Sequence, residues 1–499
     1  MSSSAPTYGL SARLRDWQET VTFDPRLVRV AAIAGLMAFG AVCGVAIALG
    51  GVAAAIIGLS LVACLFCVRD FRVGIVMLVL IMPISQSYVF PHAMFGITGL
   101  NPLNLLLITS LGLMVMRVAG DGTLWRLMPK PLVWLYLAPL AVGAALGAPH
   151  VNEIPAIFHD TEMIFFTNAF GYVRDMLLKP LTFVLYALLV SVAVARSARP
   201  ERFITPMLVS VALMAGVVLV YTAMSGVSIS ALAGTYARHF FSALGMHAND
   251  LGRLYAIAYA MLLFTWDRTP TLGMKTLCIA AMGVVVLALL LTFSRGAFLG
   301  FILVNVIYLL SRRSRKTLLL ALVLIPVGLY FTPGAVWYRV TMGWGESSNT
   351  VSAGRVDEIW GPLLPELLSS PIWGHGLGAV MWAKPMILGM MPFVGHPHNA
   401  YIQAIYDVGL VGAALLCAFW FITWKDFRRL AKDDRLVPAL QGFFEGAAAG
   451  LVSFLVAGMA GSSLAPKPEQ AFLWLAVGIA YGVRKKLAPR VPAQTAGAT

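Results

Sequence analysis

Long apolar runs separated by short polar and basic stretches alternate along almost the whole 499-residue chain. A bilayer core takes about 20 apolar residues per helix, and backbone crossing lipid must satisfy its own hydrogen bonds. The pattern predicts helices over roughly 28–49, 51–68, 73–90, 101–118, 131–147, 178–195, 205–224, 250–265, 274–292, 296–311, 317–331, 400–422, 440–460 and 469–483. Barrel strands would alternate in polarity over about ten residues, and these runs are longer and unbroken. The expectation is an all-α polytopic membrane protein.

The polar stretches predict how the chain is organised. A cytoplasmic amino-terminal segment covers 1–27, the first part of the bundle 28–331, a large periplasmic loop 332–399, the last helices 400–486, and a disordered cytoplasmic tail 487–499. With the amino terminus inside and sides alternating, every inner connection carries at least two Lys or Arg. Arg312, Arg313, Arg315 and Lys316 form one such group; Arg484, Lys485, Lys486 and Arg490 form another. Basic residues in short inner loops are the orientation signal of membrane proteins. A loop as long as 332–399 is rare in a compact bundle and points to function. Inside it, VDEIWGPLLPELLSSP predicts a short helix with Ile359, Leu363, Leu367 and Leu368 on one side, lying on the membrane surface or capping the bundle.

Composition narrows the classes further. The chain is 59% hydrophobic and 12% charged, against about 25% charged in soluble domains. A soluble enzyme with one anchor is excluded. The net charge of +14 reads as a girdle facing anionic lipid head groups and not as a nucleic-acid surface, because no basic stretch is long enough to form a domain. The first 25 residues hold no apolar core before a small-residue cleavage site, so no cleaved signal peptide is expected. All five cysteines fall in predicted spans and read as packing residues; the Cys64–Cys67 pair has metal spacing but no partner pair.

The candidate chemistry is confined to one side, since all eight histidines map to predicted outer segments. Arg295, in LLTFSRGAFLG, lies within an apolar run at an outward turn. A charge at that depth faces a cavity or an ion pair, or snorkels to lipid phosphate; Gly296 beside it permits close backbone approach to an anion. In GHPHNAYIQAIYDVGLVG (395–412), His396, His398 and Asn399 precede a helix that starts near Tyr401. Three readings stand: an imidazole at a cavity lip acting as proton acceptor or orienting partner, a metal site completed by His375, or simple capping of the next helix by His398 and Asn399.

Three passages carry a resemblance: TFSRGAFLG (292–300), SAGRVDEIW followed by PIWGHGLGAV (352–380), and HPHNAYIQAIYDVGLVG (396–412). In order and spacing, and with the polar helix start HANDLGRLYAIAYAMLL (247–263), they resemble the O-antigen ligase and O-antigen polymerase superfamily of bacterial membrane glycosyltransferases. The likeness covers the carboxy-terminal half; the other half agrees only in hydropathy. It implies a GT-C-like bundle of about 12–14 transmembrane helices with a large periplasmic loop, in the bacterial inner membrane. It also implies an undecaprenyl-diphosphate-linked glycan donor, a lipid A-core or other glycan acceptor, and inverting transfer without metal or cofactor. The family's donor-binding arginines correspond to Arg295 and Arg355, and its catalytic histidine to His398.

The chemistry of such a transfer suits these residue types. A diphosphate leaving group needs cationic donors more than a general acid, and arginine supplies a planar fork that stays charged beside lipid. The acceptor hydroxyl needs a base within about 3 Å. His398 is the candidate, with Asp357, Glu358 and Asp407 as alternatives. Arg174, Arg238, Arg339, His396 and Asn399 are possible supporting residues. A polysaccharide polymerase and a protein O-oligosaccharyltransferase share this chemistry. A secondary transporter or flippase is the reading from a different class, although no internal repeat of the kind many transporters carry is evident. A reporter fused after Gly395 is expected to be active only when it requires export; activity of a cytoplasm-dependent reporter at that point would reverse the topology.

Overall fold

The structure, a computed structural model, describes residues 25–94, 97–118, 128–232, 240–312, 314, 319, 322–323, 326, 330, 334–341, 345–461 and 463–488. The predicted amino-terminal segment up to residue 24, much of the predicted helix 317–331 and most of the predicted tail lie outside them. By its internal contacts the chain divides into two units, Met1–Leu61 and Val62–Thr499.

The longer helices are α1 (Pro25–Arg69), which leaves helical geometry at Gly51, α2 (Arg72–Ile81), α3 (Pro102–Val118), α4 (Leu132–Glu153, with a π-helical start and a 3-10 end), α5 (Thr182–Ala195), α6 (Ile204–Ser225), α7 (Ala248–Arg268), α8 (Leu272–Leu291), α9 (Arg295–Arg312), α10 (Ala400–Leu430), α11 (Pro438–Ala457) and α12 (Ala471–Leu487). Two-residue strands at Ala93–Met94 and Ile97–Thr98 form the β-structure among the described residues. The protein is an all-α polytopic membrane protein, as the apolar pattern predicts. Among the described residues six helices are long and apolar enough to cross a membrane, and a seventh span exists if Ala169–Leu178 and α5, bent by 42°, are counted as one. The predicted segments outnumber these for a physical reason. Helix α7 carries Asp250, Arg253, Asp267 and Arg268, and α12 ends in Arg484, Lys485 and Lys486, so neither is uniformly apolar. Both are instead sheathed by other helices, which removes the need for a wholly apolar surface.

Small residues set the closest helix pairs. Gly442, Gly446 and Gly450 recur every fourth residue on α11 and face the carbonyl oxygens of Phe264, Ala260 and Ile257 on α7. On α12, Gly478 and Gly482 face the carbonyls of Ala187 and Ser191 on α5. Without a hydrophobic driving force between helices in lipid, such stripes gain their energy from close van der Waals contact. Ion pairs add a polar latch at the ends remote from the long 345–399 loop. Arg312 of α9 joins Asp267 of α7 (2.6 Å) and Glu445 of α11 (2.9 Å), and Arg484 of α12 joins Asp426 of α10.

The predicted loop helix is present in altered form. A π-turn over Val356–Trp360 runs into a helix over Gly361–Leu367. Ile359 and Leu363 are buried, whereas Leu368 is 63% exposed. The apolar side is therefore split: one part packs inward and the other faces outward.

The loop then clasps α10. This helix breaks at Gly409 (φ 70°), and residues 371–376 fill the break with backbone. Leu410 N–H donates to Pro371 O (2.7 Å), His375 N–H to Tyr406 O (2.8 Å), and Gly376 N–H to Asp407 O (2.9 Å). A Cβ at Gly409 would overlap the Ile372 carbonyl, and one at Gly376 (φ 106°) would overlap the Gly147 backbone. The Asp407 carboxylate completes the clasp by accepting from Gly378 N–H (3.0 Å) and Gln403 Nε2 (3.3 Å). Replacing Gly409 by Ala combines left-handed strain with this overlap, so a loss of about 2 kcal/mol or more is expected. A lowered thermal midpoint in detergent, with Gly334→Ala unchanged as the open-space comparison, checks it.

Candidate active site

The end of the clasping loop places the histidines. Asn399 caps α10, its Oδ1 accepting from Tyr401 N–H (3.0 Å) and Ile402 N–H (3.2 Å). Capping belongs to Asn399, while His398 stands one residue earlier with its backbone in the left-handed region (φ 52°). Its own N–H donates to His396 Nδ1 (3.2 Å), and the two rings meet edge to face at 4.2 Å. Trp360 Nε1–H donates to Pro397 O (2.8 Å), which ties the Arg355-bearing turn to the same segment.

These histidines line a cavity of about 490 Å³ within the larger unit. Phe158, Ile164, Met176, Met381 and Phe393 give it an apolar wall. Its polar wall comes from Asp250 and Arg253 near the start of α7, from Lys467 ahead of α12, and from His247, which caps α7 by accepting Asn249 N–H (3.1 Å). Arg253 is buried and held between Asp250 (2.6 Å) and Glu469 (2.9 Å), with Glu469 itself buried. A buried arginine so paired is fixed in place, and removing either carboxylate would leave an uncompensated charge. Burial pushes the His396 imidazole well below its ordinary basicity, and the positive Lys467 adds to the effect. The hydrogen bond that Nδ1 accepts agrees with a neutral ring whose proton sits on Nε2.

The other sequence-predicted residues are distributed unevenly. Arg295 and Arg355 are not among the cavity-lining residues. Arg295 opens α9 beside Gly296, which faces Ala460 of the cavity wall at 3.9 Å from a built Cβ. Arg355 opens the π-turn that ends at Trp360. Arg174 pairs with Asp175 (2.7 Å) on the exposed surface and does not line the cavity. Arg238 and the side chain of Arg339 lie outside the described residues. Of the alternative bases, Asp357 and Glu358 are exposed, and Asp407 is buried in the clasp. Arg253, Lys467 and Glu469 enter the site from the fold and are not among the residues that the sequence singles out. A charged residue within the apolar run 250–265 was the signal that could have singled out Arg253.

Backbone strain marks the same neighbourhood. Among the described residues the non-glycine positions with positive φ are Glu162, Phe293, Ala353 and His398. Phe293 and Ala353 each precede a predicted arginine by two residues, and Glu162 adjoins the cavity-lining Met163. Such conformations cost about 1–3 kcal/mol each and gather at functional sites.

Residues 279–417 match the family described as O-antigen ligase. That match supports the likeness to the O-antigen ligase and polymerase superfamily over this stretch of the chain. Among curated proteins none matches it. The family-matched stretch includes Arg295, Arg355, His396, His398 and the clasp at Gly409. Arg253 and Lys467 fall on either side of it, so the cavity joins the family-matched segment to the start of α7 and to the segment ahead of α12. Because His396 is less basic folded than unfolded, the unfolded chain takes up its proton first as pH falls. Stability is then expected to be complete above about pH 6.5 and to decline below it. His396→Gln should flatten that decline, as read from thermal midpoints between pH 7.5 and 5; an unchanged slope would remove His396 as its source.

Proposed function

We propose that this chain is an O-antigen ligase that moves a glycan from undecaprenyl diphosphate to a sugar hydroxyl of lipid A-core, by inverting transfer at the periplasmic face of the bacterial inner membrane. The observation that carries the reading is one cavity in which an apolar wall, cationic side chains and the His396–His398 pair meet. An anionic head joined to a lipid and a sugar calls for that combination, and the volume suits the reacting end of such a donor.

In this reading His398 accepts the proton of the acceptor hydroxyl as its oxygen attacks the anomeric carbon. The bond from that carbon to the diphosphate oxygen breaks on the opposite face, and the diphosphate leaves with the electron pair. Lys467 is the cation that lines the cavity, and Arg295 and Arg355, on segments that adjoin its wall, are assigned to the charge on the leaving group. A neutral His396 beside His398 leaves the latter without an imidazolium neighbour that would oppose its protonation. The cations do this work without a general acid, so no metal is needed in the proposed step.

The test uses purified protein with an undecaprenyl-diphosphate-linked glycan and lipid A-core. His398→Ala should lower kcat by about 10²–10⁴ while donor binding survives, and Arg295→Ala should also raise the donor KM. Chelator should leave the rate unchanged. Wild-type turnover by His398→Ala at saturating substrates would defeat the base assignment. Transfer only to a second lipid-linked glycan, or only to protein hydroxyls, would assign the sister activities.

A further inference from the structure

A second cavity, of about 460 Å³, lies between α5, α10 and α12. It is remote from the first. Helix α10 begins beside the His398 cavity and reaches Asp426 near its far end, a path of at most roughly 40 Å at 1.5 Å per residue given the break at Gly409. That distance matches a bilayer with its head-group layers, about 40–45 Å. Side chains on α10 mark the interface independently. Lys425 Nζ sits 4.4 Å from the Phe421 ring centre, Arg428 lies over Trp424 at 5.7 Å, and the two aromatic rings stack at 6.0 Å. Aromatic and basic residues in such a band are the head-group signature of a span.

The lining divides by polarity. Phe419 and Ile422 face the cavity from the deeper part of α10, and Thr423, Tyr481, Arg484 and Lys485 lie toward the head-group end. Arg484 donates to the buried Asp426 carboxylate and is still 53% exposed. Arg429 also reaches Asp426 (3.8 Å). The single acid is thus matched by arginine, and Lys485 adds a positive charge within electrostatic reach of Arg196. Lys486 holds the end of α5 by donating to Ser197 O (2.9 Å) and Ala198 O (3.2 Å). Arg196 in turn lines a further pocket with Arg69, Arg72 and Asp70, the last paired with Arg72 (2.6 Å), which leaves a positive excess. Positive charge is crowded here at phosphate depth, above an apolar floor.

We propose that this pocket binds one anionic phospholipid, its phosphate held by Arg484 and Lys485 and its acyl chains laid against Phe419 and Ile422. The charge balance selects an anionic over a zwitterionic head group. A lipid seated there touches α5, α10 and α12 together. It is separate from the proposed transfer chemistry and stands or falls without it.

The experiment embeds the full chain in nanodiscs of equal phosphatidylglycerol and phosphatidylcholine, then releases it for native mass spectrometry. Wild-type protein should keep one phosphatidylglycerol in preference to phosphatidylcholine. Lys485→Gln, an exposed change that leaves the Asp426 pair intact, should weaken retention about fivefold, the loss of one head-group cation. Thr423→Phe, which fills the cavity without altering charge, should remove the lipid; if that variant does not fold, Lys485→Gln decides alone. Equal retention of both lipids by wild type, or wild-type retention by Lys485→Gln, overturns the proposal. Displacement of the lipid by soluble glycerol phosphate at equal concentration would overturn the lipid as occupant and leave a simple phosphate site.

Discussion

The break in α10 at Gly409 is the constraint on which the rest of the site depends. A helix interrupted in a membrane frees backbone donors and acceptors that lipid cannot satisfy. Here residues 371–376 of the long loop take up the free groups, and the Asp407 carboxylate adds a bond from Gly378 N–H of the same loop. The loop is consequently held against the bundle by main-chain hydrogen bonds. Side-chain affinity alone would leave it free to lift away. Everything that follows it in sequence, including His396, His398 and the Asn399 cap, inherits that anchorage.

A second restraint works from the opposite wall. Arg253 is buried near the start of α7, where an unpaired charge would be costly, and Asp250 and Glu469 enclose it. The pairing costs desolvation, yet it fixes the segment ahead of α12 that carries Lys467. Strain is stored beside it: the left-handed residues flank the cavity and the two predicted arginines. A pocket assembled from a helix start, a pre-helix segment and a clasped loop can thus be rigid even though no single element contains it.

The two ends of the bundle are chemically distinct. At one end, imidazoles, a buried arginine and a lysine surround an apolar-walled cavity. At the other, arginines and lysines are latched to Asp267, Asp426 and Glu445 or crowd the second cavity. Glycine stripes on α11 and α12 connect the ends by letting helices approach to backbone contact, so both clusters hang on the same closely packed framework.

Much of this was legible in the residue order. The apolar runs predicted helices where α2 to α12 occur, because a span needs length and apolarity, both local properties. The Asn399 helix start and the family likeness of 292–300, 352–380 and 396–412 were likewise readable, since short motifs carry their own spacing. Pairing was not. Arg253 read as one charge in an apolar run, and only the folded chain brings Glu469 to it from 216 positions away. The role of Gly409 was hidden in the same way, for its positive φ answers a loop that closes on it from outside the helix. Local pattern reports what a segment can become; which distant segment satisfies its buried charges and broken backbone is decided by packing.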